Sequence, residues 1–111
     1  MIVYKVLKQE EFIELERTGK SLGSSVDKID GFIHLSTKKQ LPETLRKHFY
    51  REKNLMLMAI ESDSISPSLK WAISRNNQPF PHLYSELIFD NALWFAPLEF
   101  MEDRHVIPTG L

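Results

Sequence analysis

The sequence predicts a single α+β domain, residues 1–111, with a curved or split, mixed but largely antiparallel sheet and two short helices. Three observations support this fold class. The 111 residues are 42% hydrophobic and 26% charged, which is ordinary for one domain able to bury a core. Helical periodicity is confined to the first half of the chain. Apolar segments of strand length predominate after residue 54.

The first half of the chain predicts one strand and both helices. Residues 1–7 are β-branched and aromatic, as in a strand, and residues 10–18 carry an apolar helical stripe that ends before Gly19. Residues 20–30 are rich in serine and predict an exposed loop. Leu41, Leu45 and Phe49 then share one helical face, which predicts a helix from Pro42 to Arg51 after a capping-box spacing between Thr37 and Gln40.

The second half predicts strands separated by turns. Residues 54–61 are nearly all apolar, which indicates a central strand buried on both faces. Further strands are expected at residues 69–73, 82–89 and 92–100, with Pro97 marking an edge or a strand end. Residues 74–81 predict a turn and extended loop. The tail, residues 102–111, is expected to be peripheral.

Composition excludes several classes of function. The formal net charge is −1 and no segment is strongly basic, so we expect no nucleic-acid partner. The chain has no cysteine, which excludes disulfides, thiolate metal sites and a cysteine nucleophile. No apolar run approaches the roughly 20 residues of a membrane span. We therefore expect a cytoplasmic protein without a membrane partner.

The most informative stretch runs from Asp30 to Thr37 and reads Asp-Gly-Phe-Ile-His-Leu-Ser-Thr. It predicts a strand after a turn. Because side chains alternate along a strand, Phe32, His34 and Ser36 share one face, and Ile33 and Leu35 enter the core on the other. An imidazole and a hydroxyl on one face behind an aromatic ring suggest a site.

A second polar face is predicted on the later strand. His82, Tyr84 and Glu86 alternate with apolar residues there, and Arg75 lies in the loop before it. Taken singly, each has an ordinary interpretation as a core, rim or solvated side chain. If the two faces meet across a cleft, they combine two imidazoles, a phenol, a hydroxyl and a carboxylate, which is typical of a small-molecule site.

The motifs also resemble a known family. Gly-Phe-Ile-His-Leu-Ser-Thr at 31–37 with Gln40, Leu-Lys-Trp at 69–71, Ser-Arg at 74–75 and Phe-Pro-His-Leu-Tyr at 80–84 look like the bacterial family called domain of unknown function 952. The resemblance covers essentially the whole chain. That family is in turn distantly similar to the ADP-ribosyltransferase superfamily, whose split curved sheet binds NAD.

This resemblance implies NAD as a substrate and roles for the site residues. By it, His34 binds a ribose hydroxyl and Ser36, beside Thr37, binds the carboxamide. His82 and Tyr84 support the nicotinamide ring and Arg75 pairs with the pyrophosphate. Glu86 then supplies negative charge. Catalysis would rest on His34, Tyr84 and Glu86, with an acceptor that the sequence does not identify and no metal expected.

Two departures from the family leave alternatives open. Ala72 stands where members commonly have Glu after the Trp, and Ser85-Glu86 stands where they commonly have Gly-Pro. If the missing acid is catalytic, the protein binds a nucleotide without turnover, or acts as a protein-interaction module, unless Glu86 compensates. A third alternative is a metal-dependent enzyme, because His34, His82 and Glu86 form the ligand set of a non-haem iron site.

Overall fold

The computed structural model describes residues 1–73, 77–108 and 110–111. This part of the chain forms three α-helices and nine strands, and all three helices lie before the fourth strand. The helices are α1 (Gln9–Thr18), α2 (Ser25–Asp30) and α3 (Leu41–His48). The strands are β1 (Ile2–Leu7), β2 (Lys20–Ser21), β3 (Ile33–His34), β4 (Leu55–Glu61), β5 (Leu69–Ile73), β6 (Pro79–Leu83), β7 (Leu87–Ile88), β8 (Ala92–Met101) and β9 (Arg104–Val106). Short 3₁₀ helices span Ser62–Ser68 and Phe89–Asn91.

The strands form three small antiparallel sheets. Their strand orders are β1-β4-β8-β9, β3-β6-β5 and β2-β7. Tyr4 and Ser36 join the first sheet to the second through reciprocal backbone hydrogen bonds of 2.8 and 2.9 Å. The predicted α+β class with a curled, largely antiparallel sheet and few helices is therefore confirmed.

Strand β4 lies at the centre of the core, as its apolar run predicts. Met58 and Ile60 point into one buried cluster, which includes Leu15 of α1 and Ile33 of β3. The neighbouring residues of β4 point into a second buried cluster, which includes the apolar face of α3. Alternating residues of a single strand thus feed two cores, which is the physical reason that this segment is apolar on both faces.

The prediction of a loop at residues 20–30 is wrong, and with it the number of helices. These residues form β2 and α2 instead. Ser24 begins α2 with a reciprocal capping box: its hydroxyl accepts from the Asp27 N–H, and the Asp27 carboxylate accepts from the Ser24 N–H. Gly31 ends the helix in the left-handed conformation, φ +82°. The capping bonds offset the low apolar content of this short helix.

The strand predicted to follow the Asp30-Gly31 turn is correspondingly shorter. Only Ile33 and His34 pair as a strand, because α2 ends just before Gly31 and Ser36 forms a bridge to β1. The predicted strand over residues 82–89 is also interrupted. It begins earlier, at Pro79, and stops at Leu83, and Leu87 then pairs with β2 in another sheet.

The helix predicted from Pro42 to Arg51 is present but spans Leu41–His48, with the proline in its first turn. The tail is not peripheral throughout. Residues 104–106 form β9, and Ile107 and Leu111 pack against the second core cluster. Within the described residues, no helix has the length and hydrophobicity needed to cross a membrane.

Candidate functional site

The two polar faces predicted from the sequence meet. Antiparallel pairing of β3 with β6 places His34 directly opposite His82, and the next strand, β5, places Lys70 opposite His82. Directly paired residues point to the same face of a sheet. The two imidazole rings lie 5.5 Å apart between centroids, at an angle of 67°. One face of this sheet therefore carries a row of two imidazoles and an ammonium group.

Phe32 packs against this row from one side. Its ring stacks on His82 with centroids 4.0 Å apart, and its centroid lies 4.6 Å from that of His34. Tyr84 contacts the same phenyl ring at 5.3 Å and remains half-exposed, with the Lys70 ammonium 5.2 Å from its centroid. The aromatic contacts pack against both imidazoles, and Tyr84 itself lies outside the described lining of the adjoining cavity.

The carboxylate of Asp27 binds both the backbone and the ring of His34. Its Oδ1 accepts from the His34 backbone N–H at 3.1 Å and lies 2.6 Å from His34 Nδ1. Its Oδ2 accepts from Lys5 Nζ at 2.7 Å and from the Ser24 N–H at 2.9 Å. An ionised carboxylate accepts about four hydrogen bonds. All four positions of Asp27 are thus occupied, and the Nδ1 atom of His34 is the donor.

This network is buried. The side chain of Asp27 is 1% exposed and that of Lys5 is 5% exposed. Burial by itself raises the pKa of Asp27, but the hydrogen bond from His34 and the charge and hydrogen bond of Lys5 outweigh it. The net result is a pKa far below the ordinary value. Asp27 is therefore ionised throughout the physiological pH range.

The other ring nitrogen of His34 faces a second carboxylate. His34 Nε2 lies 3.0 Å from Asp30 Oδ2, at the last residue of α2. These two side chains are 38% and 41% exposed, in contrast to the buried Asp27. The two groups form an ion pair when the ring is protonated. His34 thus has one fixed partner and one exposed partner.

The surroundings of His82 disfavour its charged form. Burial lowers its pKa from the ordinary value, and the positive charge of His34 lowers it further, while Asp30 partly opposes both effects. His82 is therefore predominantly neutral at pH 7.

These groups open into a cavity of about 770 Å³. The lining includes His34 and His82 with Lys5, Asp27 and Asp30, and it also includes residues of α3. The volume is in the range of small-molecule sites, roughly 300–1,000 Å³. The cavity lining carries five carboxylates, three ammonium groups and three imidazoles.

Of the other residues predicted to form the site, only Ser36 is found among the described lining of the cavity. Ser36 lines the cavity, where its hydroxyl lies 2.9 Å from that of Thr44. Thr37 exchanges hydrogen bonds with Gln40 in the capping box predicted for this spacing, so its polar groups are used at the start of α3. Glu86 lies beyond the end of β6, outside the described lining of the cavity, and its carboxylate lies 3.9 Å from Lys20 Nζ. Arg75 falls outside the described residues.

The family model described as Protein of unknown function (DUF952) matches residues 6–95, which include Asp27, His34 and His82. The chain belongs to this family. The family resemblance predicted from the sequence motifs is therefore confirmed. No curated protein matches this chain.

Solved structures support the fold of this DUF952 protein. The crystal structure of protein CC0527 from Caulobacter crescentus is similar to it, with a TM-score of 0.90 and 38% sequence identity. The alignment covers 95% of this chain and 92% of that protein. The solution NMR structure of CC0527 gives a TM-score of 0.82 at 38% identity, over 94% and 90% of the two chains.

Sequence reasoning did not single out the charged residues nearest to His34, which are Lys5, Asp27 and Asp30. The Ser24-Ser25-Val26-Asp27 spacing of a capping box, followed by Gly31, was the available signal for α2. A lysine inside the apolar strand Ile-Val-Tyr-Lys-Val-Leu was the signal for a buried charge. Across the described residues, no group of three metal-ligating side chains is close enough to hold an ion, and Glu86 does not complete one with the two histidines.

Proposed function

We propose that the His34 cavity binds NAD or a related nucleotide, and that the protein acts on the nicotinamide–ribose bond in an ADP-ribosyltransferase-like or NAD glycohydrolase-like reaction. One observation carries the proposal: Asp27 holds His34 in a fixed orientation on the cavity wall, directly beside His82. A preorganised donor of this kind is what positioning a ribose requires.

Cleavage of the nicotinamide–ribose bond has defined electrostatic needs. The bonding electron pair leaves with nicotinamide, and the ribose C1′ atom becomes an oxocarbenium-like centre that water or an acceptor hydroxyl attacks, with loss of a proton. Negative charge nearby stabilises this centre. Asp30 supplies a carboxylate at the cavity wall, whereas Glu86 lies outside the described lining. Among the carboxylates of the lining, Asp30 lies 3.0 Å from the His34 ring nitrogen proposed to bind the ribose, so it is the catalytic carboxylate in this proposal.

The other proposed contacts with the nucleotide follow from where each residue lies in the structure. His34 Nε2 donates to a ribose hydroxyl, and the Ser36 hydroxyl, already paired with Thr44, is available to the carboxamide. His82 remains mostly neutral and presents its ring edge beside the nicotinamide. Tyr84 acts through the aromatic contacts that hold Phe32 against both imidazoles. The role of Arg75 at the pyrophosphate stays a prediction.

A second candidate is a nucleotide-binding module without turnover. Two observations favour it. Position 72 holds alanine instead of an acid, and the carboxylate of Glu86 lies outside the described cavity lining. The two candidates share the ligand and differ in the release of nicotinamide.

One titration tests both candidates. Isotopically labelled protein is titrated with NAD, ADP-ribose and nicotinamide, and free nicotinamide is assayed in the same tube. We expect saturable amide shifts at residues 34–37 and 78–83, with nicotinamide released from NAD. Shifts without release establish the binding module, and no shift at millimolar ligand overturns the proposal.

A matched pair of variants assigns the effect to the site. His34→Asn removes the proposed donor, and we expect affinity for NAD to fall about tenfold or more, as for a lost charge-assisted hydrogen bond. His105→Asn is the control, because His105 Nε2 donates to the Glu52 carbonyl at 2.7 Å and lies outside the cavity lining. Equal effects of the two substitutions contradict the assignment.

A further inference from the structure

The contact between His34 and Asp30 has the chemistry of a binding site for two adjacent hydroxyl groups. His34 Nε2 and Asp30 Oδ2 lie 3.0 Å apart, and both side chains are partly exposed and line the cavity. A protonated ring nitrogen donates a hydrogen bond, and a carboxylate accepts one. A vicinal diol presents an acceptor oxygen and a donor O–H on neighbouring carbons, and so satisfies both groups at once.

A diol can bind only if the contact between His34 and Asp30 opens, and the surroundings of the pair allow this. Asp27 holds the imidazole through Nδ1, so the ring keeps its orientation when Asp30 releases Nε2. In the described part of the chain, this ring is the one ion-pair partner of the Asp30 carboxylate. A ligand therefore separates the pair at the cost of one exposed contact and replaces it with two charge-assisted hydrogen bonds.

The same pair disfavours a phosphate group at this position. Phosphate oxygens require donors, and Asp30 offers an ionised acceptor that repels them. Lys5 does not change this balance, because its ammonium group is buried and bonded to Asp27 and to the His34 carbonyl. The position is suited to the sugar of a ligand and not to its charged end.

We propose that His34 and Asp30 together bind the vicinal diol of a ribose, so that the cavity selects ribonucleosides over their 2′-deoxy counterparts. The choice of nicotinamide ribosides as ligands rests on the proposed function. The diol site itself rests on the geometry of the two side chains. Asp30 is thus a specificity-determining residue as well as a source of negative charge.

The test compares matched ligands. Labelled protein is titrated with nicotinamide riboside and with its 2′-deoxy analogue, and separately with free D-ribose and 2-deoxy-D-ribose at millimolar concentrations. We expect the riboside to bind about tenfold or more tightly than the deoxy analogue, the value of one charge-assisted hydrogen bond. Asp30→Ala is expected to abolish this preference. Asp90→Ala is the control, because Asp90 is exposed and outside the cavity lining.

Each outcome separates the two proposals. Equal binding of riboside and deoxy analogue overturns the diol site and leaves the proposed function standing. Discrimination between the free sugars without binding of nicotinamide riboside or NAD supports the diol site and overturns the proposed function. A preference that survives in Asp30→Ala overturns the assignment to Asp30. If neither the riboside nor free ribose binds, the diol site is overturned, and the proposed function is decided by the NAD titration alone.

Discussion

His34 Nδ1 lies 2.6 Å from Asp27 Oδ1, and the Asp27 side chain is 1% exposed. The same carboxylate accepts from Lys5 and from the start of α2. The residue that orients the candidate ligand-binding imidazole is therefore also a structural element of the fold. Substitutions at Asp27 must be interpreted with both roles in view.

Asp27→Asn is expected to lower the free energy of unfolding by about 3–5 kcal/mol, because it leaves the buried Lys5 ammonium without a counter-charge. Urea denaturation at pH 7 measures this. Asp30→Asn is the matched control and should cost less than about 1 kcal/mol, since that pair is partly exposed. A similar cost for the two variants would show that the buried pair contributes no special stability.

The stability of the wild type should fall in acid through Asp27. Despite burial, hydrogen bonding from His34 and the charge of Lys5 hold the pKa of Asp27 below that of an unfolded aspartate, about 4. The stabilisation is therefore complete above about pH 4 and is lost as pH falls towards the folded-state pKa. Urea unfolding between neutral pH and strong acid tests this, with carboxyl NMR assigning the titration. If the carboxyl of Asp27 titrates at or above the unfolded value, the prediction is wrong.

The pKa of His82 should respond to its neighbours in opposite directions. Burial and the positive charge of His34 lower it, so Phe32→Ala, which uncovers the ring, and His34→Asn, which removes the charge, should each raise it. Asp30→Asn should lower it further. Histidine NMR titration of the three variants checks the signs. A shift in the same direction for His34→Asn and Asp30→Asn contradicts the electrostatic account.

Gly23→Ala should disrupt the site through the backbone. Gly23 has φ +92°, and an added Cβ would lie 2.8 Å from the Cβ of Asp27, whose carboxylate is also in its way. Gly19→Ala is the control: its φ is +85°, but an added Cβ meets nothing within 4 Å. The left-handed conformation costs each variant about 1–2 kcal/mol, so the additional cost at Gly23 measures the clash. Thermal or urea denaturation of both variants, with the His34 ring resonances as a probe of the site, makes the comparison. Equal losses would mean that Asp27 moves aside freely.

Local patterns predicted much of this protein. The apolar alternation of β4, the capping spacing between Thr37 and Gln40, and the shared face of Phe32 and His34 are properties of short segments, and the structure contains all three. Helix α2 was missed, since its stability comes from the Ser24–Asp27 capping box and from contacts to β1, and not from an apolar stripe.

The sequence by itself determined the α+β class, the two histidine motifs and the absence of cysteine chemistry, because side-chain periodicity and residue type are local. Only the tertiary structure decided that His34 faces His82, that Lys5 reaches Asp27 across 22 residues, and that Glu86 lies outside the described cavity lining. Those relations depend on which strands pair and in which register. Pairing is set by burial summed over the whole core, which no single segment of the sequence contains.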